Sequence, residues 1–448
     1  MATYYMDPTR STNGSGSFAS PYNTWVGVTI SAGNVYLQKE GTTFVGSVTI
    51  PVGATGVTLG SYDRASGAML SDPTRRALID GTGTQLTVRV REGAHNAVID
   101  SLEVFGTDTS TERWAFYLGN TAAQPANGTV LRNCLARDVE PSFTNDGGGV
   151  KFFGSDVRIT DLVVRNVPTD GIWGQGNNAV IERANISGIG NDERAFGDCI
   201  QIFGNATLGC ANAQIRDCYL DHRGGSYKQV VIVQDQTGAS VGCVIERNTL
   251  LMAPYDGNNS NIIFIEVPKA VVRANYCKGG NYGIYLSDAD AFVVGNVVAD
   301  SSYGIDQGST ETGGKVHNNT VLRCTQYAIY ADTDTTFRAY NNMIVQCANG
   351  IGIETGALED YNLFSEVPTA RVSLGGAGPT WGANDQFIGD ISDRVNADYS
   401  LKTTIPIGGV PMPNPLRNAG TYVQGVTLRN GRTQPGMTPI GAYQVGRY

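Results

Sequence analysis

Two carboxylates in this chain have the setting for acid–base chemistry. Asp170 lies in Thr169-Asp170-Gly171-Ile172-Trp173, and Asp198 lies in Gly197-Asp198-Cys199-Ile200-Gln201-Ile202. Each opens a short apolar run. If the runs are neighbouring strands, the two acids share a slot with backbones about 4.8 Å apart. Carboxyl groups about 5 Å apart suit a retaining glycosidase, and roughly 6.5–9.5 Å suits an inverting one. Like charges that close also push one pKa upward, which supplies a protonated acid near neutral pH. The opposing reading is local. Asp-Gly ahead of a strand is ordinary turn chemistry, and strict alternation from an inward Ile172 turns Asp170 inward too. Only a bend at Gly171 frees the acid for an open groove.

Other residues qualify as helpers. His222 is the candidate third member of the catalytic group. Trp173 stands one residue beyond Ile172, on the outer face of its strand, where a flat ring can cover the apolar side of a sugar. Trp114, Arg194, Tyr227 and Lys228 lie in long polar segments at 104–115, 187–197 and 221–228 and are candidate substrate contacts, as is Lys151. Lys151, Lys228 or Tyr227 could alternatively be the base of a lyase, a reaction that also needs Arg or Ca²⁺ against a uronate carboxylate. The chain has no Asp-rich calcium loop and no Cys-x-x-Cys pair, so no metal and no cofactor is expected.

The elements that must position these residues come from a repeated phrase. It reads VIDSLEV at 98–104, VLRNCLA at 130–136, RITDLVV at 158–164, QIRDCYL at 214–220 and VIERNTL at 244–250, and it continues to RAYNNMI at 338–344. Its polar slot holds Asn133, Asp161, Asp217, Asn248, Asn275, Asn296, Asn319 and Asn342, with last steps of 27, 21, 23 and 23 residues. A second phrase lies between the copies: GGVKFF at 148–153, DGIWG at 170–174, DCIQIF at 198–203, YGIYL at 282–286 and YGIDQ at 303–307. Two or three short strands per period and no sustained helical spacing predict a parallel β-helix, whose repeats bury their apolar faces only by stacking. The Asn column is then expected to bond turn to turn and to tolerate left-handed backbone.

These phrases resemble those of the right-handed parallel β-helix (pectate-lyase-like) superfamily, which holds pectate lyases, polygalacturonases, alginate lyases and epimerases, and phage tailspikes. The opening at 2–25 and the closing phrases DYNLF at 360–364, DQFIG at 385–389 and IGAYQ at 440–444 extend the resemblance over almost the whole chain. It implies an all-β right-handed solenoid with end caps. The segments around Asp170 and Asp198 resemble the Asn-Thr-Asp-Gly and Asp-Asp-Cys motifs of polygalacturonases. They depart from them at Pro168, which replaces the Asn, and at Gly197, which stands where that family keeps a second Asp. His222 lies in Asp-His-Arg-Gly-Gly rather than Gly-His-Gly. An epimerase of the alginate type would show Asp-Pro-His, which is absent.

The rest of the sequence bounds the partner. A net charge of −9 and a pI near 5.0 argue against nucleic acid. No run of 18 apolar residues is present, and the start lacks a basic segment followed by an apolar one, so neither a membrane span nor a secretory signal is expected. The eight cysteines read as buried thiols. Cys134 and Cys218 follow the polar slot together with Leu102, Leu162 and Val297, while Cys324 and Cys347 share a slot in adjacent turns. The expected organisation is a cap over 1–60, coils over 61–360 and a closing cap or small interaction segment over 361–448. Long loops flank a groove over 140–270, whereas coils 280–350 read as plain scaffold.

Together these features favour a tailspike-type depolymerase, on a phage virion or outside the cell, hydrolysing a bacterial surface polysaccharide. The resemblance implies a homotrimer. A lyase acting on uronic-acid chains and a glycan-binding adhesin without catalysis are the alternatives.

Overall fold

The computed structural model describes residues 1–70, 72, 74–107, 113–140, 147–190, 197–224, 229–255, 257, 261–287, 290–308, 313–332, 334–374, 379–388, 404–407 and 410–413. They form two compact units, Met1–Ser240 and Val241–Tyr448.

In the first unit each turn of chain lays down three short strands, and each strand pairs in parallel with its counterpart one turn away. One turn runs Val130–Arg132, Leu135–Glu140 and Gly147–Phe153, and the next begins at Arg158–Thr160. Three parallel sheets result, here called first, second and third in the order of a turn. Pairing already joins Thr3–Met6 to Val35–Lys39. The register stacks like on like: Ile99, Leu131, Ile159, Ile181 and Ile215 line the first sheet's inner face, each at most 1% exposed. Stacked β-branched residues at strand spacing account for the choice of sheet over helix.

The second unit repeats the plan with shorter connections. Tyr276–Gly280, Tyr282–Leu286 and Phe292–Val294 are consecutive, and parallel pairing extends to Gln386–Ile388. Thr404–Ile407 and Val410–Pro413 form an antiparallel pair. The described residues contain no helix, and none therefore is long and apolar enough to cross a membrane.

The corner between the first and second sheets corrects the sequence reading. The single polar column is two adjacent slots. In the first unit Ser101, Asn133, Asp161, Arg183 and Asp217 hold the left-handed bend, with φ of 53–57°, and the next slot is apolar: Leu102, Cys134, Leu162, Ala184 and Cys218. In the second unit Arg247, Ala274, Asn318 and Asn341 take the bend. The amide ladder of Asn248, Asn275, Asn296, Asn319, Asn342 and Asn362 occupies the slot after it. From Asn275 onward each Oδ1 accepts both the backbone N–H and the Nδ2–H of the Asn one turn earlier, as in Asn296 to Asn319 at 2.9 and 3.0 Å. Each Nδ2 also donates to a carbonyl, that of Asn319 to Val293 at 3.0 Å. Val297 pairs with Tyr276, one slot beyond Cys134's position. Asn suits both slots for different reasons, tolerance of positive φ in one and a two-donor, one-acceptor amide in the other, so composition alone merges them.

All eight cysteines are buried free thiols. Cys347 Sγ accepts the Cys324 N–H at 3.3 Å.

Candidate functional site

The third sheet of the first unit carries the two acids. Its inner face is the stack Val88, Phe116, Val150, Ile172, Ile200 and Val231. Position 171 faces the same interior: a Cβ on Gly171 would meet Ile186 Cγ2 at 2.6 Å, and one on Gly149 would meet Val164 Cγ1 at 2.8 Å. Cys199 and Val230 fill this slot in later turns, both fully buried. Two consecutive inward positions break the alternation, and this is the bend at Gly171 on which an outward Asp170 depends. Backbone bonds from the Gly149 N–H to the Asp170 carbonyl and from the Gly171 N–H to the Asp198 carbonyl continue the register, so Trp114, Gly148, Asp170 and Asp198 share one slot. Gly148 has no side chain there because a Cβ would come within 2.0 Å of the Asp170 carbonyl oxygen and 2.8 Å of the Trp114 ring.

The acids are laddered through backbone. Asp170 Oδ1 accepts the Asp198 N–H at 2.8 Å, and Asp198 Oδ1 accepts the Gln229 N–H at 2.8 Å. Asp170 is 8% exposed and Asp198 is half-buried. His222, at the end of the strand Tyr219–His222, is buried, and its Nε2–H donates to the Gly197 carbonyl at 2.8 Å. That bond ties the imidazole to the residue before Asp198. Gly197 itself is required by its neighbours, since a Cβ there would come within 2.5 Å of the Thr169 carbonyl oxygen. An aspartate cannot stand at 197 on this backbone, so the departure from the polygalacturonase motif is structural. The buried Cys199 thiol is pushed well up by desolvation, reinforced by Asp198, Asp221 and Asp170. Asp221 is held below the usual carboxylate range by Arg223, whose Nε–H donates to it at 2.8 Å.

An aromatic group lies beside the acids. Trp114, Tyr117 and Phe153 pack together, with Trp173 and Leu86 against them. Lys151 stands between Tyr117 and Trp173 in register, its Nζ 5.3 Å from the Trp114 ring centre, 5.0 Å from Trp173 and about 6 Å from Tyr117 and Phe153. Trp114 is 1% exposed and forms the floor of this group, whereas Trp173 is partly open to solvent. Thus Asp170, Asp198, His222, Trp173, Trp114 and Lys151 fall in one region of one unit. Arg194, Tyr227 and Lys228 lie outside the described residues.

A second aromatic group lies away from the long loops. The third sheet of the second unit carries Tyr282, Tyr285, Tyr303, Asp306, Tyr327 and Tyr330 on its outer face. The signal was the recurrence of YGIYL, YGIDQ and YAIYA, with polar or aromatic residues at the first and fourth positions. Among the described residues no group of three or more His, Cys, Asp or Glu side chains is placed to hold a metal ion.

Solved structures with the same architecture define the fold class. A tailspike protein mutant of E. coli bacteriophage HK620 in complex with a hexasaccharide is similar at 11% identity, covering 86% of this chain and 72% of that one, with a TM-score of 0.53. Another mutant of that tailspike, in complex with a pentasaccharide, covers 83% of this chain and 70% of that one at 10% identity and a TM-score of 0.54. The alginate lyase AlyF-OU02 is similar at 13% identity over 86% of both chains, with a TM-score of 0.50. The chain is a right-handed parallel β-helix, the fold these structures share. A family model described as periplasmic copper-binding protein (NosD) matches residues 223–367. No curated protein matches the chain.

Proposed function

We propose that this β-helix is carbohydrate-active and cleaves a bacterial surface polysaccharide by hydrolysis on the outer face of the first unit's third sheet. The observation that carries the reading is the bend at Gly171, beside which Asp170 and Asp198 share one slot next to the strand of Trp173; in this reading the bend turns both carboxyl groups toward the groove. In this reading one carboxyl group protonates the glycosidic oxygen as the C–O bond breaks. The other carboxylate either takes a proton from the water attacking the anomeric carbon or attacks that carbon itself, according to their separation. Trp173 covers one sugar ring, and His222 positions the Gly197–Asp198 backbone rather than touching substrate. The hexasaccharide and pentasaccharide bound in the tailspike structures support an oligosaccharide partner. By the same likeness the chain assembles as a homotrimer on a virion or acts outside the cell.

Incubation with surface polysaccharide should release reducing ends without unsaturated product. Asp170→Asn and Asp198→Asn should each lower that rate by about 10²–10⁴-fold with unchanged far-ultraviolet circular dichroism. Full activity in both variants sinks the site, and a light-scattering mass of one chain counts against the trimer.

A second reading rests on Lys151, the cation set among the rings. A uronate carboxylate would meet it there, and a lyase would then form a C=C bond by β-elimination, with the proton going to the base and the glycosidic oxygen leaving, seen as new ultraviolet absorbance of the unsaturated product. Binding without either product leaves an adhesin.

A further inference from the structure

We infer that the outer face of the second unit's third sheet is a separate binding platform for an uncharged, hydroxyl-rich polysaccharide, built from a tyrosine ladder around Asp306. Two outward columns run along it. Tyr282, Tyr303 and Tyr327 stack with ring centres 5.0 and 6.1 Å apart and interplanar angles of 20° and 16°. Beside them the register places Phe264, Tyr285, Asp306 and Tyr330. Tyr285 tilts against Tyr282 at 5.2 Å, and Tyr330 tilts against Tyr327 at 4.9 Å. The ladder's rings face one another, so their edges and hydroxyls are what solvent meets. All five tyrosines are half-buried. A row of phenols at one strand spacing offers donors at intervals comparable with the sugar repeat of an extended chain, while the tilted rings offer apolar surface. Gly352 keeps the end of the row open, since a Cβ there would come within 2.9 Å of the Tyr327 ring.

Asp306 is what points to a ligand. It is 6% exposed, and among the described residues its carboxyl makes no hydrogen bond or ion pair, although it sits between Tyr285 and Tyr330 on the open side of the sheet. Its oxygens are not among the fully enclosed atoms that lack a partner, so they keep some contact with solvent, and a ligand hydroxyl can take the place of water there. Burial, and then the nearby Asp332, push its pKa up to about 7, so near neutrality it offers an O–H as well as an acceptor oxygen. Burial likewise raises Tyr282 and Tyr330 to about 12, and Tyr285 and Tyr303 upward, so the phenols stay protonated donors. The strands Asn261–Glu266, Tyr282–Leu286, Tyr303–Gln307 and Tyr327–Ala331 contain no Lys or Arg, and Glu266 and Asp332 flank the patch. That charge disfavours a uronate chain and selects a neutral one. The ligand class follows from this face alone, and the site is independent of Asp170 and Asp198.

The test uses the full chain and an immobilised panel of bacterial surface, plant and microbial polysaccharides, neutral and uronate-bearing, read at pH 6 and pH 8. At least one neutral polysaccharide should bind, and Tyr303→Ala and Tyr330→Ala should each weaken it by about tenfold or more, with Tyr303→Phe intermediate. Asp306→Asn should bind equally at both pH values, whereas the parent chain weakens at pH 8. The variants D170N, D198N and D170N/D198N should leave this binding unchanged. Loss of hydrolysis in those variants with binding retained upholds both sites, and binding without any hydrolysis in the parent chain overturns the proposed function but not the platform. Capture of uronate polymers alone, no capture at all, or alanine variants that bind like the parent overturns the platform.

Discussion

The outer face of the third sheet is aromatic in both units, but the charge set among the rings is opposite. In the first unit Lys151 is the central charge, within about 6 Å of four ring centres and next to the slot of Asp170 and Asp198. In the second, Asp306 is central and no Lys or Arg lies on the four strands around it. The first arrangement joins acids to a cation and open indole surface, the requirements for acting on a sugar chain. The second has donors in a row and one isolated acid, the requirements for holding one. One scaffold can therefore present two chemistries, because the inward residues keep the coil while the outward positions vary freely.

The corners differ between the units as well, and this contrast is the most sensitive to mutation. Asn319→Ala in the second unit removes an acceptor for two donors of Asn296 and leaves the Val293 carbonyl short of a partner. At about 1–3 kcal/mol for each orphaned buried group, a loss on the order of 3–5 kcal/mol is expected. Cys218→Ala in the corresponding apolar slot of the first unit removes roughly one buried heavy atom and should cost about 1 kcal/mol. Urea denaturation of the two variants measures both. Equal losses would mean the amide ladder adds nothing beyond packing.

A smaller effect separates the aromatic faces. Lys151→Met keeps the aliphatic stem against Trp114 and Trp173 and removes the charge. Affinity of the first unit's face for uronate oligosaccharide should fall about tenfold, with neutral oligosaccharide affected by less than about threefold. Titration calorimetry on the D170N/D198N background, where substrate is not consumed, reads this directly. Equal loss for both ligands would assign Lys151 to packing alone.

These contrasts also mark what could be read from the chain. Stacked β-branched residues announce themselves because every turn must repeat them, so the parallel coil and the shared slot of Asp170 and Asp198 were legible. The bend at Gly171 was named only as a condition, because whether position 171 faces inward is settled by its neighbours, the Cys199 carbonyl and Ile186, which lie far off in the sequence. The Gly197 departure looked like a missing acid, but the Thr169 backbone excludes any side chain there. The tyrosine ladder was visible as YGIYL, YGIDQ and YAIYA, yet loop length directs the search elsewhere, and a ladder on strands needs no loops.

The smallest effect is a pH dependence of stability that requires a variant to expose. Asp306 has a native pKa of about 7 against an ordinary value of 3.8. Between those values the native chain holds more protons than the unfolded one, so this group makes stability fall as pH rises, with the full penalty present above pH 7. His317 acts in the opposite direction. Burial, and then Lys315, lower it to about 4, so its contribution makes stability rise with pH from about 4 to 6.5. The two windows overlap and offset each other in the parent chain. Asp306→Asn removes only the first, leaving His317, Asp332 and the surrounding tyrosines in place. Its unfolding midpoint should therefore exceed the parent's at pH 8 and match it near pH 4, a difference on the order of 1–3 kcal/mol at most. A midpoint shift of the same size at both pH values would show that folding does not raise the Asp306 pKa, and the neutral acid at the centre of the tyrosine face would have to be abandoned.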